Sequence, residues 1–264
     1  MRRNPRTVDQ LHFPGSPNFR DAGGHAAPRG RVRGGHLLRS GHLAGLSEVE
    51  RDRLAAMGIG LVCDLRLADE RDAHPNRVDP ETEARTHHFD IMPGSADGFR
   101  DEIMRGVLAP ESARRFMLEI YRELARDYTE HYARALRLAV DAPAGPVLIH
   151  CAAGKDRTGW GVALFQLALG VPQDEIRAGY LLSAERFPIA LEIEASRRDW
   201  REKGAPPVSA DALAPLYGID VAYLDAALEE AEKVAGSLEA YLREVLRLTP
   251  ELRDALEERF LERD

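Results

Sequence analysis

The sequence predicts an α/β fold in which a central, mainly parallel sheet is flanked by helices and followed by a helical C-terminal part. The apolar run 147–149 passes through a small-residue turn into a helix, as a buried strand does. A second apolar run, 61–63, directly follows a helical segment, and beyond residue 184 apolar residues recur at helical spacing. With 264 residues, 44% of them hydrophobic, the chain is expected to form a single domain over 1–264.

The N-terminal half alternates surface chain, helix and strand. Residues 1–17 are rich in Arg, Pro and Asn without periodicity, so we expect them to lie over the surface or to be mobile. Ser47 and Glu50 form a capping box, which predicts the start of a helix. The segments 32–39 and 85–91 are predicted to contain strands, the second with a weaker signal.

The C-terminal half is predicted to be mostly helical. Apolar residues at helical spacing over 110–141 indicate either one long helix or two, packed beside the sheet. Helices are also predicted over 158–169 and 173–183. No convincing strand follows Cys151, and residues 218–264 are expected to form C-terminal helices.

The turn after the strand 147–149 carries the strongest chemical signal, because Cys151 and Arg157 bracket five residues there. Backbone N–H groups of a short loop at a helix N-terminus converge on one point, and the helix dipole adds positive charge, which suits a dianionic phosphate. Arg157 can hold two oxygens with its guanidinium, and the same field favours the thiolate of Cys151, a nucleophile. The predicted phosphate-binding residues are those of the loop: Ala152, Ala153, Gly154, Lys155, Asp156 and Arg157.

The loop resembles a known family. Residues 150–159 read HCAAGKDRTG, which is similar to the signature loop of the Cys-based protein tyrosine phosphatases, in the bacterial and fungal branch that includes dual-specificity and phosphoinositide-active members. Residues 18–24, NFRDAGG, resemble an NFRD-x-GG segment of those proteins, with Ala22 where a larger aliphatic residue is usual. Shorter matches are Arg39-Ser40-Gly41, Asp64-Leu65-Arg66 with Glu70, and Tyr180-Leu181-Leu182-Ser183. The resemblance implies a tyrosine-phosphatase-like three-layer fold and hydrolysis through a phosphocysteine, without a cofactor.

The loop chemistry and the resemblance together suggest roles for individual residues. Cys151 is the expected nucleophile, and Arg157 with the loop amides is expected to bind the phosphate and its transition-state charge. Lys155 is expected to add positive charge at the mouth of the loop. Thr158 is expected to donate its hydroxyl to the sulfur, and His150 to brace the loop.

A general acid must protonate the departing oxygen. Asp156 is the first choice, because the loop places it beside the leaving group, as in the phosphatases that this sequence resembles. Asp64 is the second choice, since parallel strands bring their carboxyl ends to one rim, but it is equally well explained as a cap of the turn that follows. Arg20 and Asp21 of the NFRDAGG segment are interpreted as a structural ion pair in preference to catalytic residues, in a segment that the resemblance places near the active face.

Composition and motifs also limit the classes of partner, cofactor and cell compartment expected for this protein. The formal net charge of −8 provides no basic field for nucleic acid, and no apolar run reaches the length of a membrane span. No secretory signal is evident, which predicts a cytoplasmic protein, although export without a signal would leave no trace. His87 and His88 point to opposite faces of a strand, so no metal site is expected. Cys63 is interpreted as a core residue, with a regulatory disulfide to Cys151 left open.

The expected activity is that of a protein-tyrosine phosphatase acting on phosphotyrosine proteins or peptides, with dual specificity left open. A phosphoinositide phosphatase is the alternative, because Lys155 and Arg157 could meet an inositol polyphosphate. A sulfurtransferase also uses a cysteine in a strand-to-helix loop, but the spacing of Arg157 and Thr158 disfavours it. A nonenzymatic phosphate-binding module would bind without releasing phosphate. By resemblance, residues 184–217 are expected to form a helical lid.

Overall fold

The computed structural model describes residues 11–94 and 96–263. Its strands are β1 (Arg20–Asp21), β2 (Ala26–Ala27), β3 (Gly30–Val32), β4 (Leu37–Ser40), β5 (Leu61–Asp64), β6 (Thr86–His88), β7 (Val147–His150) and β8 (Leu261–Glu262). Five of them form the central sheet in the order β1-β4-β7-β5-β6. All neighbours in it are parallel except β1, which pairs with β4 in the antiparallel direction at the edge. The predicted mainly parallel sheet is confirmed.

Helices connect most of these strands. They are α1 (Glu48–Ala56), α2 (Ala68–Ala73), α3 (Pro80–Ala84), α4 (Ala96–Met104), α5 (Pro110–Arg126), α6 (Thr129–Asp141), α7 (Asp156–Ala168), α8 (Gln173–Leu181), α9 (Ser183–Arg186), α10 (Ile189–Glu202), α11 (Ala210–Tyr217), α12 (Val221–Ala235), α13 (Leu238–Ala240) and α14 (Pro250–Phe260), with a π-helical turn at Tyr241–Val245. The capping box at Ser47 and Glu50 is present at the start of α1. The segment 110–141 forms two helices, because α5 ends at Arg126 and α6 starts again at Thr129.

The two faces of the sheet contribute to different hydrophobic clusters. Val147 and Ile149 of β7 pack in the main cluster with side chains of α5, α6 and α7. Leu148, which lies between them, packs in a smaller cluster with Leu54 of α1 and Phe13. Because successive strand residues point to opposite faces, the sheet is covered on both sides. The fold therefore has the three layers that were predicted.

The helix that follows β7 lies in the centre of the protein. From Gly159 onward the residues of α7 are apolar or small apart from Gln166, and most of them are buried, including Trp160 and Phe165. A helix that is hydrophobic all round is stable only inside a core. This burial fixes the position of the N-terminus of α7, where the Cys151 loop ends.

The register of the parallel strands determines what meets at the rim of the sheet. Ser40 of β4 pairs with His150 of β7, which in turn pairs with Asp64 of β5. These three strands therefore end at the same level, and ligands bind beside the carboxyl ends of parallel strands. The residues that follow each strand, Cys151 among them, are brought together along this edge.

A second, small sheet corrects one prediction. The strands β2, β3 and β8 form an antiparallel sheet in which Val32 pairs with Leu261. A strand thus does follow Cys151, at the very end of the described chain. It has two residues and directly continues α14, so it is too short to show a period of two.

The two ends of the chain can be compared with the sequence predictions only in part. Residues 1–10 lie outside the described residues, so the prediction of a mobile 1–17 bears only on 11–17. There Phe13 and Ser16 are buried, and the ring of Phe13 lies 4.2 Å from that of Phe19, so this part is packed on the protein. At the other end, residues 218–264 are helical up to β8, with Thr249 capping α14. Within the described residues no helix is long and apolar enough to cross a membrane.

Candidate active site

The loop 151–155 curls tightly between β7 and α7. Cys151 opens it and is 2% exposed, and its Sγ accepts a hydrogen bond from the backbone N–H of Gly154 at 3.2 Å. Gly154 has a φ of +69°, and a Cβ at this position would lie 2.3 Å from backbone atoms of Ser40. Only glycine tolerates both conditions. The glycine at position 154 of the predicted loop is therefore required by the backbone conformation and by the close approach of Ser40.

Donors from the N-terminal part of the chain hold the carbonyl groups of this loop. The carbonyl oxygen of Gly154 accepts hydrogen bonds from Nδ2 of Asn18 at 2.6 Å and from Nη2 of Arg39 at 2.7 Å. The carbonyl oxygen of Ala152 accepts from the N–H of His42 at 2.9 Å. In a planar trans peptide the C=O and the following N–H point in opposite directions, so these bonds also orient the loop amides.

The NFRDAGG segment thus lies at the loop, but its two charged residues do not pair as predicted. Asp21 accepts hydrogen bonds from the backbone N–H groups of Gly23 and Gly35, at 2.7 and 2.8 Å. Arg20 donates to the carbonyl oxygen of Gly179 at 3.0 Å. The prediction of an Arg20–Asp21 ion pair was wrong, because on β1 the two adjacent side chains point to opposite faces.

Arg157 is held by a carboxylate that the loop sequence itself does not contain. Its Nη1 and Nη2 each donate to one oxygen of Glu70 at 2.6 Å, and Nη1 also donates to the carbonyl oxygen of Ile91 at 3.1 Å. Burial opposes the charge of Arg157, but the hydrogen bonds with Glu70 outweigh it and raise the pKa of Arg157 above its ordinary value. Arg157 therefore stays charged and is fixed in direction.

Lys155 and Asp156 form a second polar group at the start of α7. Nζ of Lys155 donates to the carbonyl oxygen of Leu216 at 2.6 Å and lies 3.1 Å from Oδ1 of Asp156. The same Oδ1 accepts from the Tyr121 hydroxyl at 2.9 Å. The Lys155 side chain is buried, so the expectation that it adds charge at the mouth of the loop was wrong. Its ammonium instead ties the loop to the end of α11.

Asp64 is locked inside the protein. Its two oxygens accept from Nε and Nη2 of Arg66 at 2.9 and 2.6 Å, and Oδ1 also accepts from the backbone N–H of Arg66. Burial alone would raise the pKa of Asp64, but His150 and Arg66 outweigh it and lower that pKa to about 2. A carboxylate without exposed surface and with so low a pKa is a poor proton donor. The geometry matches the other interpretation of Asp64, a cap of the turn after β5.

His150 lies next to this pair. Its Nε2 is 3.6 Å from Oδ2 of Asp64 and 3.5 Å from Nδ2 of Asn76. Complete burial lowers the pKa of His150 to about 4, although Asp64 acts in the opposite direction, so the imidazole is neutral at pH 7. Its Nδ1 is buried without a hydrogen-bond partner among the described residues, so bracing of the loop by His150 stays a prediction.

The remaining predicted residues have these surroundings. The hydroxyl of Thr158 is buried without a hydrogen-bond partner among the described residues, so its predicted bond to the sulfur is not formed. Cys63 is a free, buried thiol whose pKa burial raises to about 12, which favours the core interpretation over a regulatory disulfide. In the part of the chain that the structure describes, no group of His, Cys, Asp and Glu could hold a metal ion.

A thiol that receives an amide hydrogen bond beside a helix N-terminus and an ionised arginine is an arrangement suited to a nucleophilic cysteine that meets an anionic substrate. Comparison with known proteins agrees with this class. The chain belongs to the tyrosine phosphatase family, whose model matches residues 11–262. It is a protein-tyrosine phosphatase, a hydrolase of phosphorylated substrates, and the predicted resemblance is confirmed.

Individual relatives extend over most of the chain. A Cupriavidus necator protein whose name places it among the tyrosine-protein phosphatases is 34% identical over 244 residues, which cover 89% of this chain and 84% of the relative. The triple specificity protein phosphatase PtpB of Mycobacterium tuberculosis is 31% identical over 259 residues, or 88% of this chain and 92% of PtpB. A tyrosine-protein phosphatase of Nostoc commune is 32% identical over 150 residues, which are 56% of this chain and 48% of that protein.

Proposed function

We propose that the chain hydrolyses phosphotyrosine in proteins or peptides through a phosphocysteine formed on Cys151. The observation that supports this most is the 3.2 Å hydrogen bond from the N–H of Gly154 to Sγ of Cys151. A thiolate accepts such a bond, and the neighbouring loop amides would be the donors that an incoming phosphoryl group meets.

Arg157 is proposed to bind the equatorial phosphate oxygens. Glu70 takes one hydrogen from each of Nη1 and Nη2. Among the described residues none accepts a hydrogen bond from Nε, so the edge formed by Nε and Nη2 is left to meet two oxygens. This is the bidentate geometry in which guanidinium binds phosphate most strongly.

The reaction then has two steps. The Cys151 thiolate attacks phosphorus in line, the S–P bond forms, and the bond from phosphorus to the tyrosyl oxygen breaks while Asp156 gives its proton to that oxygen. Water next attacks the phosphocysteine, its proton passes to Asp156, the S–P bond breaks and inorganic phosphate leaves. Proton and charge are restored after each turnover.

Asp156 is proposed as the acid in preference to Asp64. Tyr121 and Lys155 both bind Oδ1 of Asp156, which fixes the carboxyl group and leaves Oδ2 to face the leaving oxygen. The Asp156 side chain is 22% exposed, whereas Asp64 is enclosed and bound at both oxygens by Arg66. Lys155 is proposed to position Asp156 rather than to touch the phosphate.

Leaving-group dependence tests the acid. In Asp156→Asn we expect kcat on phenyl phosphate to fall by roughly 10²-fold or more, because phenolate needs a proton to depart. The loss on para-nitrophenyl phosphate should be much smaller, because nitrophenolate leaves without one. Equal losses on both esters would remove Asp156 from this role. The exposed Asp52→Asn is a control that should change neither.

The substrate class is tested with a panel. Wild type and Cys151→Ser are compared for phosphate release from phosphotyrosine, phosphoserine and phosphothreonine peptides and from phosphoinositides. We expect release from phosphotyrosine peptides by wild type alone. The inward position of Lys155 leaves Arg157 as the cation of the loop, which argues against an inositol polyphosphate as the preferred substrate. Binding of phosphopeptide without release by wild type would indicate a nonenzymatic module instead.

We also propose that residues 184–217 form a lid. Ile193 of α10 and Leu213 of α11 pack with Ile103 of α4 in a small hydrophobic cluster separate from the core, and Lys155 binds the chain at Leu216. A unit with its own small core can open without unfolding the rest. Limited proteolysis with and without vanadate tests this: the phosphate mimic should protect sites within 184–217, and unchanged cleavage there would contradict a ligand-sensitive lid.

A cytoplasmic location is part of the proposal. Both cysteines are free thiols, as is usual in a reducing compartment. Fractionation of cells that express the full chain would test it, and recovery of the enzyme in the medium or the membrane fraction would contradict it.

A further inference from the structure

A small cavity that is partly open to solvent lies beside the loop, between β1, β4, α7 and α8. It encloses about 90 Å³, while one buried water needs roughly 10–15 Å³. Arg20 and Arg39 line it, together with Asp21, His25 and the helical glycines Gly159 and Gly179. We call it the arginine cavity. It is large enough for a small ion and too small for a nucleotide or a peptide.

The two arginines of this cavity are buried without a carboxylate. Arg20 is 7% and Arg39 is 2% exposed, and neither forms an ion pair among the described residues. Arg39 donates through Nη2 to the carbonyl oxygens of Gly154 and Lys155, while its Nε is buried without any partner. Buried cations normally have an anionic partner, since desolvation of a charge costs far more than a neutral hydrogen bond returns.

The pKa values of Arg20 and Arg39 also indicate that their charges are not compensated. Burial, and then the neighbouring Arg39, lower the pKa of Arg20 to about 7. Burial lowers the pKa of Arg39 to about 10. The protein without an anion in the cavity therefore holds two mutually repelling guanidinium groups at an energetic cost that an oxyanion would remove.

The other charged groups of the lining are already engaged. The carboxylate of Asp21 accepts from the N–H groups of Gly23 and Gly35, and burial raises its pKa, which reduces its charge. Nδ1 of His25 lies 2.7 Å from Oε2 of Glu175. Neither carboxylate reaches the guanidinium groups, so the excess charge of the cavity is positive.

We propose that the arginine cavity binds a small tetrahedral oxyanion, inorganic phosphate or sulfate, between Arg20 and Arg39. The unpartnered Nε of Arg39 is the donor that such an anion would use. Arg39 also holds the Gly154 carbonyl, so an anion that fixes this guanidinium would stabilise the loop that follows Cys151. This site is independent of the chemistry proposed for Cys151.

A variant that fills the cavity separates this site from the active site. Gly179 lies within α8, and a Cβ there would meet only the His25 ring at 3.6 Å, an ordinary contact. Gly179→Leu is therefore tolerated by the backbone and takes up cavity space. The matched control is Ala178→Leu, one residue earlier on the same helix, where the side chain is exposed.

Equilibrium binding of inorganic phosphate is the measurement. We expect two phosphates per chain in wild type and in Ala178→Leu, and one in Gly179→Leu. In Arg157→Ala, which lacks the proposed active-site ligand, phosphate at ten times its Kd should still raise the melting midpoint by roughly 3–6 °C above an equal ionic strength of chloride. Adding Gly179→Leu to that variant should abolish the rise.

Either of two results would overturn the proposal: wild type and Gly179→Leu bind the same number of phosphates per chain, or phosphate raises the melting midpoint of Arg157→Ala equally with and without Gly179→Leu. If Arg157→Ala does not fold, the number of phosphates bound by wild type, Gly179→Leu and Ala178→Leu still tests the proposal. Turnover by wild type and Cys151→Ser tests the proposed mechanism, whereas the number of phosphates lost in Gly179→Leu tests the second site. Failure of one proposal is therefore distinguished from failure of the other.

Discussion

Two arginines lie at the Cys151 loop, Arg157 in the first turn of α7 and Arg39 on β4, and they differ in how their charge is balanced. On the β5 side, Arg157 forms two 2.6 Å bonds with Glu70, and its pKa is raised. On the β4 side, Arg39 donates to the carbonyl oxygen of Gly154 at 2.7 Å, and burial lowers its pKa to about 10. One arginine is held by a carboxylate and the other by peptide oxygens.

The difference shows what each kind of partner can do. A carboxylate both orients a guanidinium and keeps it ionised, which suits a group proposed to meet a doubly charged substrate. A carbonyl orients the guanidinium but leaves its charge uncompensated. Arg39 can therefore position the loop and still attract the oxyanion proposed for the arginine cavity, whereas Arg157 is proposed to bind the phosphate of the substrate.

The most strongly carboxylate-held arginine provides the largest expected effect. Arg66 is paired with Asp64 at both oxygens, and both residues are buried. Asp64→Asn should lower the free energy of unfolding by about 3–5 kcal/mol, because it leaves the Arg66 charge buried without a partner. Chemical denaturation at pH 7 measures it, and the exposed Asp52→Asn is expected to stay within about 0.5 kcal/mol of wild type.

The same variant carries a pH signature. The pKa of Asp64 is about 2 in the folded protein and 3.8 ordinarily. Its ionised form therefore stabilises the fold fully above pH 4, and this stabilisation is lost as the pH falls through 2. The stability gap between wild type and Asp64→Asn should narrow over that window. A gap that is constant down to pH 2 would show that the charge of Asp64 is not what holds Arg66.

The second effect concerns Arg157, the arginine proposed to bind phosphate. Glu70→Gln keeps the shape of the side chain but removes the charge that fixes Arg157, so kcat/KM should fall by about 10-fold to 10²-fold. Steady-state kinetics on a phosphotyrosine peptide measures this. Glu81→Gln breaks an exposed pair with Arg85 and should leave the kinetics unchanged. Unaltered kinetics in Glu70→Gln would mean that the carbonyl oxygens of Leu65 and Ile91 orient Arg157 unaided.

Much of the fold could be predicted because the decisive signals are local. The runs 61–63 and 147–149 are short, apolar and followed by turns, and the capping box at Ser47 lies within four residues. What was missed depends on distant partners. β8 is a strand only because Val32 pairs with Leu261, and Phe13 is buried only because Phe19 and β7 are there.

The candidate site likewise has a part that could be predicted from local sequence and a part that depends on distant residues. The loop and its order of residues could be predicted, because a Cys-x5-Arg turn at a helix N-terminus carries its own chemistry. Side-chain directions could not. The position of Lys155 depends on a carbonyl at Leu216, and the use of Asp64 depends on Arg66 turning back over its own strand end. Asn18 and Arg39 lay in segments that matched the family, but nothing in the local sequence indicates that both bind the carbonyl of Gly154.

The smallest effect is expected on the carbonyl-held side. Arg39→Lys retains a cation but not the planar fork that reaches the Gly154 carbonyl, so the loop should be held less firmly by one hydrogen bond. We expect kcat to fall about 10-fold, equally for phenyl and para-nitrophenyl phosphate, because a positioning residue acts on every substrate alike. Arg33→Lys is the matched control, since Nε of Arg33 also binds a carbonyl, that of Leu261, in the second sheet. A loss that differed between the two esters would assign Arg39 to proton transfer. Arg39 would then take part in the chemical step and would not act only by positioning the loop.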